Sequence, residues 1–252
     1  MCLILFAWRA HPHYRLVVAA NRDEFHDRPA AAADFWAEEP DLLAGRDLQA
    51  GGTWLGVTRS GRFAAVTNYR EPLVPEAPLE RSRGDLVRDY LAGDTEPMRH
   101  ARDVQEHGQA YRGFNLLLGT GQSLINVSNR MEAPADVIAG VHGLSNRLLD
   151  TQWPKVTAGT ARLRQLLDQD RVEAEALLEL LADRAAAPGE MPLVPGDGAF
   201  RRHLMEHGFI VSPTYGTRSS TVLLVEEGGC MEFVERRFAA DGSATGTSRF
   251  VL

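Results

Sequence analysis

The chain of 252 residues has a formal net charge of −7, with 44% apolar and 24% charged residues, the balance of an ordinary globular protein long enough to bury a substantial core. That charge forces no basic face, so nucleic acid is not an expected partner. The longest apolar run near the N-terminus, Cys2 to Trp8, lacks a basic region before it and a small-residue cleavage site after it, so no signal peptide or membrane span is expected and cytoplasmic residence is the default.

Residues 3 to 8 and 15 to 20 are apolar at both parities, as in strands covered on both faces and lying between two layers. A short loop at Ala10 to His13 joins them into a hairpin. Symmetric closure sets Cys2 opposite Asn21 and places Arg22 and Asp23 at the strand exit. Asp27 to Gly52, rich in Ala, Pro, Asp and Glu, reads as an ordered loop. Its paired glycines Gly51-Gly52 permit positive φ or close backbone approach, suited to a pocket wall or to a plain turn before a strand. Thr53 to Thr58 and Arg62 to Asn68 form a hairpin through Arg59-Ser60-Gly61. Three prolines between Tyr69 and Pro78 exclude a helix there. Ser82 with Asp85 then gives a capping-box start for a helix reaching Ala92.

A second helix covers Pro97 to Gln109, and Phe114 to Leu118 with Ser123 to Ser128 make another hairpin. A short strand at 136 to 141 leads into His142-Gly143-Leu144-Ser145-Asn146. Pro154 opens a helix to Asp168 with Val156, Leu163, Leu166 and Leu167 on its apolar side, and the next runs from Asp170 and Glu173 to Ala182. Residues 185 to 198 form a Pro/Gly/Ala-rich loop, and strands at Ser219 to Glu226, Met231 to Phe238 and Ser248 to Leu252 complete the chain. There is no internal repeat and no dividing linker, so the expectation is one α+β domain over residues 1–252.

Several chemistries are unsupported, because no phosphate-binding glycine loop, H-E-x-x-H pair or G-x-S-x-G elbow occurs. Cys2 and Cys230 belong to no C-x-x-C pair, which argues against a disulfide framework or a cysteine zinc site. His11-x-His13 and the i,i+4 pair His203 and His207 have spacings that can bind a metal, but neither has a neighbouring cysteine or a clear third ligand, so no metal is assigned. The stronger constellation is Cys2 with Asn21, Arg22 and Asp23, joined by Asn68, Asn146 and Arg218 at the ends of other strands. Taken singly, Cys2 also reads as a small apolar residue at a strand start, and the others as loop caps, an ion pair and surface charge. Their coincidence points to a thiol nucleophile tuned by a cation and a carboxylate. Removal of Met1 would free an α-amine of pKa ~8 on Cys2 itself, a built-in general base at neutral pH. Asparagine amides and backbone N–H groups would hold the oxyanion.

The blocks Ala20-Asn21-Arg22-Asp23-Glu24-Phe25, Ala44-Gly45-Arg46-Asp47, Gly51-Gly52-Thr53-Trp54-Leu55-Gly56, Val66-Thr67-Asn68, Gly143-Leu144-Ser145-Asn146 and Thr217-Arg218-Ser219-Ser220-Thr221 resemble the NRDE family, that of the transport-and-Golgi-organisation protein two. That family in turn looks like the cysteine N-terminal-nucleophile hydrolases, which include penicillin V acylase and bile-salt hydrolase. The resemblance implies a four-layer αββα sandwich of antiparallel sheets. It also implies Cys2 as nucleophile, Arg22 and Asp23 as the arginine and aspartate of the second strand, Asn146 as the side-chain oxyanion donor and Arg218 as a later site arginine. Asn68 falls near the backbone donor, and Asn21, Asn68 and Asn146 are the candidate substrate-binding or oxyanion residues. In that branch the arginine and aspartate are spaced apart, whereas here they are adjacent.

Two functions follow as expectations. One is a cysteine amidohydrolase that cleaves a non-peptide amide of a small molecule through a thioester and requires no cofactor. The other is a non-catalytic carrier that uses the same pocket for haem or another hydrophobic anion, with Arg22 or Arg218 on its carboxylates and a histidine or Cys2 on iron. The NRDE resemblance itself points to haem handling and to lipid or acyl-coenzyme A metabolism.

Overall fold

The computed structural model describes residues 2–71, 81–187 and 198–252, and divides the chain into two compact units, each built on one antiparallel sheet. Elements are numbered along the chain. The first unit takes the chain up to Asp27, then Ala139–Ser145 and Leu149–Leu252. Its strands are β1 (Leu3–Trp8), β2 (Tyr14–Phe25), β10 (Gly140–Leu144), β11 (Tyr215–Glu226), β12 (Met231–Phe238) and β13 (Ala244–Val251), in the order β10-β1-β2-β11-β12-β13. Leu3, Leu5, Ala7, Val17 and Ala19 pack on one face against α3 (Pro154–Leu167) and α4 (Ala174–Leu181) through Val156, Leu163, Leu177 and Leu181. The alternate residues Ile4, Phe6 and Val18 are buried as well, so β1 and β2 carry the two-sided burial read from their parity.

The register of the first hairpin differs from expectation by one residue. Arg9 takes a φ of 47° and its N–H donates to the Arg15 carbonyl at 2.8 Å, so the turn lies over residues 10–14. Leu3 therefore pairs with Asn21, and continuation of that register sets Cys2 opposite Arg22. β2 also runs on to Phe25, because Tyr215, Gly216 and Thr217 of β11 pair with Phe25, Glu24 and Asp23 before a bulge at Thr217/Ser219. The polar run Asn21 to Glu24 thus lies inside the sheet. A helix absent from the sequence reading, α5 (Ala199–Glu206), follows the Pro/Gly/Ala-rich stretch, whose residues 188–197 lie outside the described ones.

The second unit comprises Arg28–Ile138 and Asn146–Leu148. It is a meander of β3 (Ala30–Phe35), β4 (Leu42–Asp47), β5 (Leu55–Thr58), β6 (Phe63–Asn68), β7 (Phe114–Gly119), β8 (Leu124–Ser128) and β9 (Ala135–Asp136), each paired with the next. Helices α1 (Arg83–Ala92) and α2 (Pro97–Glu106) cover one face, with Leu86, Val87, Tyr90, Ala101 and Val104 on Ala64, Val66, Leu116 and Leu118. The capping box forms as read, with Ser82 accepting from Gly84 N–H and Asp85 accepting from Ser82 N–H.

Asp27 to Gly52, expected as a loop, supplies β3 and β4. Ala-rich segments carry little strand signal of their own, and here the pairing partners decide, with Leu42, Leu43 and Ala44 ladder-bonded to Thr58, Val57 and Gly56. The strand expected at 136 to 141 is split, with its start in β9 and its end in β10. Of the proline-rich run after Tyr69, residues 72–80 lie outside the described ones. Both options read for the paired glycines are realised. Gly51 has φ +79°, and a Cβ on Gly52 would sit 2.5 Å from the Gly84 carbonyl carbon, so the start of α1 rests on bare backbone. Two antiparallel sheets, each with helices on one face, make this the α+β class read from the sequence.

Candidate functional site

In the first unit, the C-terminal half of β2 brings Arg22 and Asp23 beside the start of β1, where Cys2 stands. Ser145, the residue after β10, donates its hydroxyl to the Cys2 carbonyl at 2.7 Å and fixes the main chain there. Cys2 keeps part of its surface open. Burial pushes its thiol pKa up, the Asp23 charge adds to that, and an Asp23 backbone hydrogen bond and the Arg22 charge oppose it. Asp23 is 4% exposed. Its Oδ1 accepts from the Thr217 hydroxyl at 2.7 Å, and its carbonyl accepts from the Tyr215 hydroxyl at 3.0 Å. Burial raises the Asp23 carboxyl above its ordinary pKa, while Lys155, Thr217 and Arg22 act to lower it.

Lys155, in the first turn of α3, joins this candidate site without having been expected from the sequence. It is 2% exposed, its ammonium has no hydrogen-bond partner among the described residues, and burial depresses its pKa against the charges of Asp23 and Cys2. One signal was present in the sequence. A cation in the first turn of a helix opposes the macrodipole, and the i,i+4 position from Lys155 is Gly159, which leaves room on that helical row. Thr217 carries no signal of its own in the sequence. Its role comes from the bulge, where its hydroxyl serves Asp23 while accepting from Ile210 N–H at 2.9 Å.

Arg218 enters the same neighbourhood. Its guanidinium donates to the Phe25 and His26 carbonyls at 2.8 and 3.1 Å, and partial burial together with the Arg22 charge lowers its pKa. Asn21 is buried and turned toward the helices. Its amide donates to the Leu181 and Gly208 carbonyls, both at 2.9 Å, and accepts from the Ser220 hydroxyl at 2.6 Å. Both of its N–H groups are therefore committed to main-chain carbonyls.

Asn68 and Asn146 belong to the second unit, where they meet. Asn146 donates its side-chain amide to the Asn68 carbonyl at 2.8 Å, and its own carbonyl accepts from Arg70 N–H at 2.8 Å. The adjoining Arg147 is held by its carbonyl to the Asn115 amide at 2.9 Å and by its guanidinium to the Tyr69 hydroxyl at 2.9 Å.

The histidine pairs have local roles. His11 Nε2 contacts the Gln169 carbonyl at 2.9 Å, and the rings of His203 and His207 lie tilted against each other with centroids 3.9 Å apart. Among the described residues no three His, Cys, Asp or Glu side chains cluster as metal ligands, and no helix is long and apolar enough to cross a membrane.

The family model for "Transport and Golgi organisation 2" matches residues 1–240. The Transport and Golgi organization protein 2 homolog of Bos taurus is 37% identical, covering 94% of this chain and 92% of its own. The human homolog is 34% identical over the same shares, and the Drosophila melanogaster protein is 26% identical over 93% and 91%. Among solved structures, the Caenorhabditis elegans N-acylethanolamine-hydrolyzing acid amidase (NAAA) ortholog aligns with a TM-score of 0.48 and 11% identity, over 88% of this chain and 92% of its own.

Proposed function

The chain belongs to the Transport and Golgi organisation 2 family, a name that prescribes no reaction, and from the site in its first unit we propose that it is a cysteine amidohydrolase acting on a non-peptide amide of a small molecule. The observation that carries this reading is the placement of Cys2 among Arg22, Asp23 and Lys155, a thiol among two cations and a buried carboxylate. A thiol held above its ordinary pKa is a poor nucleophile at rest and needs a base at the moment of attack.

With Met1 removed, the α-amine of Cys2 takes the thiol proton. The sulfur then forms a bond to the amide carbonyl carbon, the C–N bond breaks, and the amine leaves with the proton. Water hydrolyses the thioester, returning the thiol and releasing a carboxylic acid. Arg22 stabilises the thiolate through its charge. Asp23, braced by Thr217, holds the α-amine in place, and Arg218 orients an acidic group on the substrate.

The test is intact mass and turnover with a reactive acyl donor. Protein lacking Met1 gains one acyl group on Cys2, and Cys2→Ala abolishes the adduct. A chain that retains Met1 and takes up no acyl group refutes the reading.

A further inference from the structure

The first unit encloses a cavity of about 200 Å³ on the helix-covered side of its sheet. Its walls are apolar: Leu3 and Leu5 of β1, Gly159 of α3, Leu180 and Leu181 of α4, and Gly208 beyond α5. Gly159 leaves room there for Leu5, whose Cδ1 would lie 2.7 Å from a Cβ at that position. The polar lining is divided by depth. Arg162 and Asp183 are ion-paired with about half of each side chain exposed, which marks the mouth with Glu206 nearby, whereas Lys155 is 2% exposed and marks the inner end.

An apolar chamber with a single buried amine is an unequal arrangement. A buried ammonium whose three donors have no hydrogen-bond partner among the described residues is costly. The ionisable groups that act on it are Asp23 of β2 and Cys2 at the start of β1, and Arg22 of β2 acts in turn on those two. Small-molecule sites have this composition, with apolar walls and few polar groups that fix one end of the ligand.

We propose that this cavity binds a small aliphatic monocarboxylate, with the carboxylate on Lys155 and the chain along Leu3, Leu5, Leu180 and Leu181. An apolar cavity of about 150 Å³ accommodates benzene, so this one suits a chain of about six carbons. A second charge on the chain would lie unpaired against leucine, and an amine would be repelled by Lys155.

Proton accounting gives the site a signature. Asp23 and Lys155 form a neutral pair whether written as carboxylate with ammonium or as acid with amine, and both forms hold the same number of protons. A ligand carboxylate adds one negative charge in a buried place. Uptake of one proton restores neutrality, leaving Lys155 as ammonium toward the ligand and Asp23 as the acid. The raised Asp23 and lowered Lys155 pKa values agree with a pair that accepts this extra proton together with an anion. Cys2, whose thiol pKa burial pushes up, stays a neutral thiol. This site does not depend on thioester chemistry at Cys2.

Calorimetric titration of the whole chain with hexanoate, hexan-1-ol and hexylamine, in buffers of different ionisation enthalpy, tests it. Hexanoate binds one to one with uptake of close to one proton, and its affinity falls with rising pH, about tenfold per pH unit wherever a full proton is taken up. Hexan-1-ol binds at least tenfold more weakly, and hexylamine does not bind. Lys155→Met removes the preference for hexanoate over the alcohol, whereas Cys2→Ala leaves it in place, so failure of the amidohydrolase reading is told apart from failure of this one. Absence of hexanoate binding at millimolar concentration, equal affinity for acid and alcohol, or binding without proton uptake overturns the proposal. All three readings use the unaltered protein and stand even if the lysine variant does not fold.

Discussion

At the scale of single residues, Asn21 and Thr217 show how polar side chains come to lie inside a sheet. Asn21 ties β2 to the Leu181 and Gly208 carbonyls and to Ser220. Asn21→Ala strands all three partners in a buried setting and is expected to cost about 3 kcal/mol, read as a lowered urea midpoint. Thr217 supplies one hydrogen bond to Asp23 and accepts another from Ile210. Thr217→Val keeps the shape and loses both, at roughly 1–3 kcal/mol by the same measurement. Residue chemistry was legible only in part. Cys2, Arg22, Asp23 and Arg218 announce themselves through their types, whereas Lys155 carries only the weak signal of a cation in the first turn of a helix, and its burial follows from where that helix packs.

Among the elements, the connection from β10 to α3 is secured by Asp150, which sits at a φ of 58° and accepts from His142 Nδ1 at 2.7 Å and Gly143 N–H at 2.9 Å. Burial works to raise its carboxyl pKa, and the bonds from His142 and Gly143 outweigh that and hold it below the usual range. A depressed carboxylate contributes stability above its unfolded pKa, near 3.9, and loses it as pH falls through the folded value. Asp150→Asn, which tolerates the left-handed backbone, therefore costs about 1 kcal/mol at pH 7 after allowance for solvent screening. Thermal melting should show the gap between variant and parent closing below about pH 4. At the start of α1, Gly52→Ala drives a methyl group into the Gly84 backbone, and a loss of about 1–3 kcal/mol in urea unfolding is expected.

Those two elements also show why some structure was readable and some was not. The α1 boundary lay in a local code, Ser82 with Asp85, and came through intact. β3, the second half of β2 and the opening of β11 have no local code. Ala30 to Ala33 and Asn21 to Glu24 become strands because a neighbouring strand pairs with them, and that neighbour stands far away in the sequence for β2. The hairpin register slipped for a similar reason, since a positive φ at Arg9 cannot be seen in residue types.

For the whole molecule, the course of the chain matters as much as its sheets. After leaving the second unit at Ile138 it returns there for Asn146–Leu148 alone, and this short visit makes the bonds to Asn68, Arg70, Asn115 and Tyr69. Asn146→Ala should weaken the second unit by about 1 kcal/mol, seen as faster deuterium uptake around residues 68 to 70 while β1 and β2 keep their protection. The first unit has a longer wait built into it. One edge of β2 is filled by β1 at once, but the other is filled by β11, which begins only at Tyr215. At synthesis rates of about 5–20 residues per second, roughly ten to forty seconds separate the two strands on the ribosome. Throughout that interval the nascent chain carries an apolar strand with one open edge, a template for pairing with other chains. The stretch that later surrounds Cys2 thus waits for a partner strand made far later in the chain, an interval over which chaperone cover during translation would shield the first hairpin.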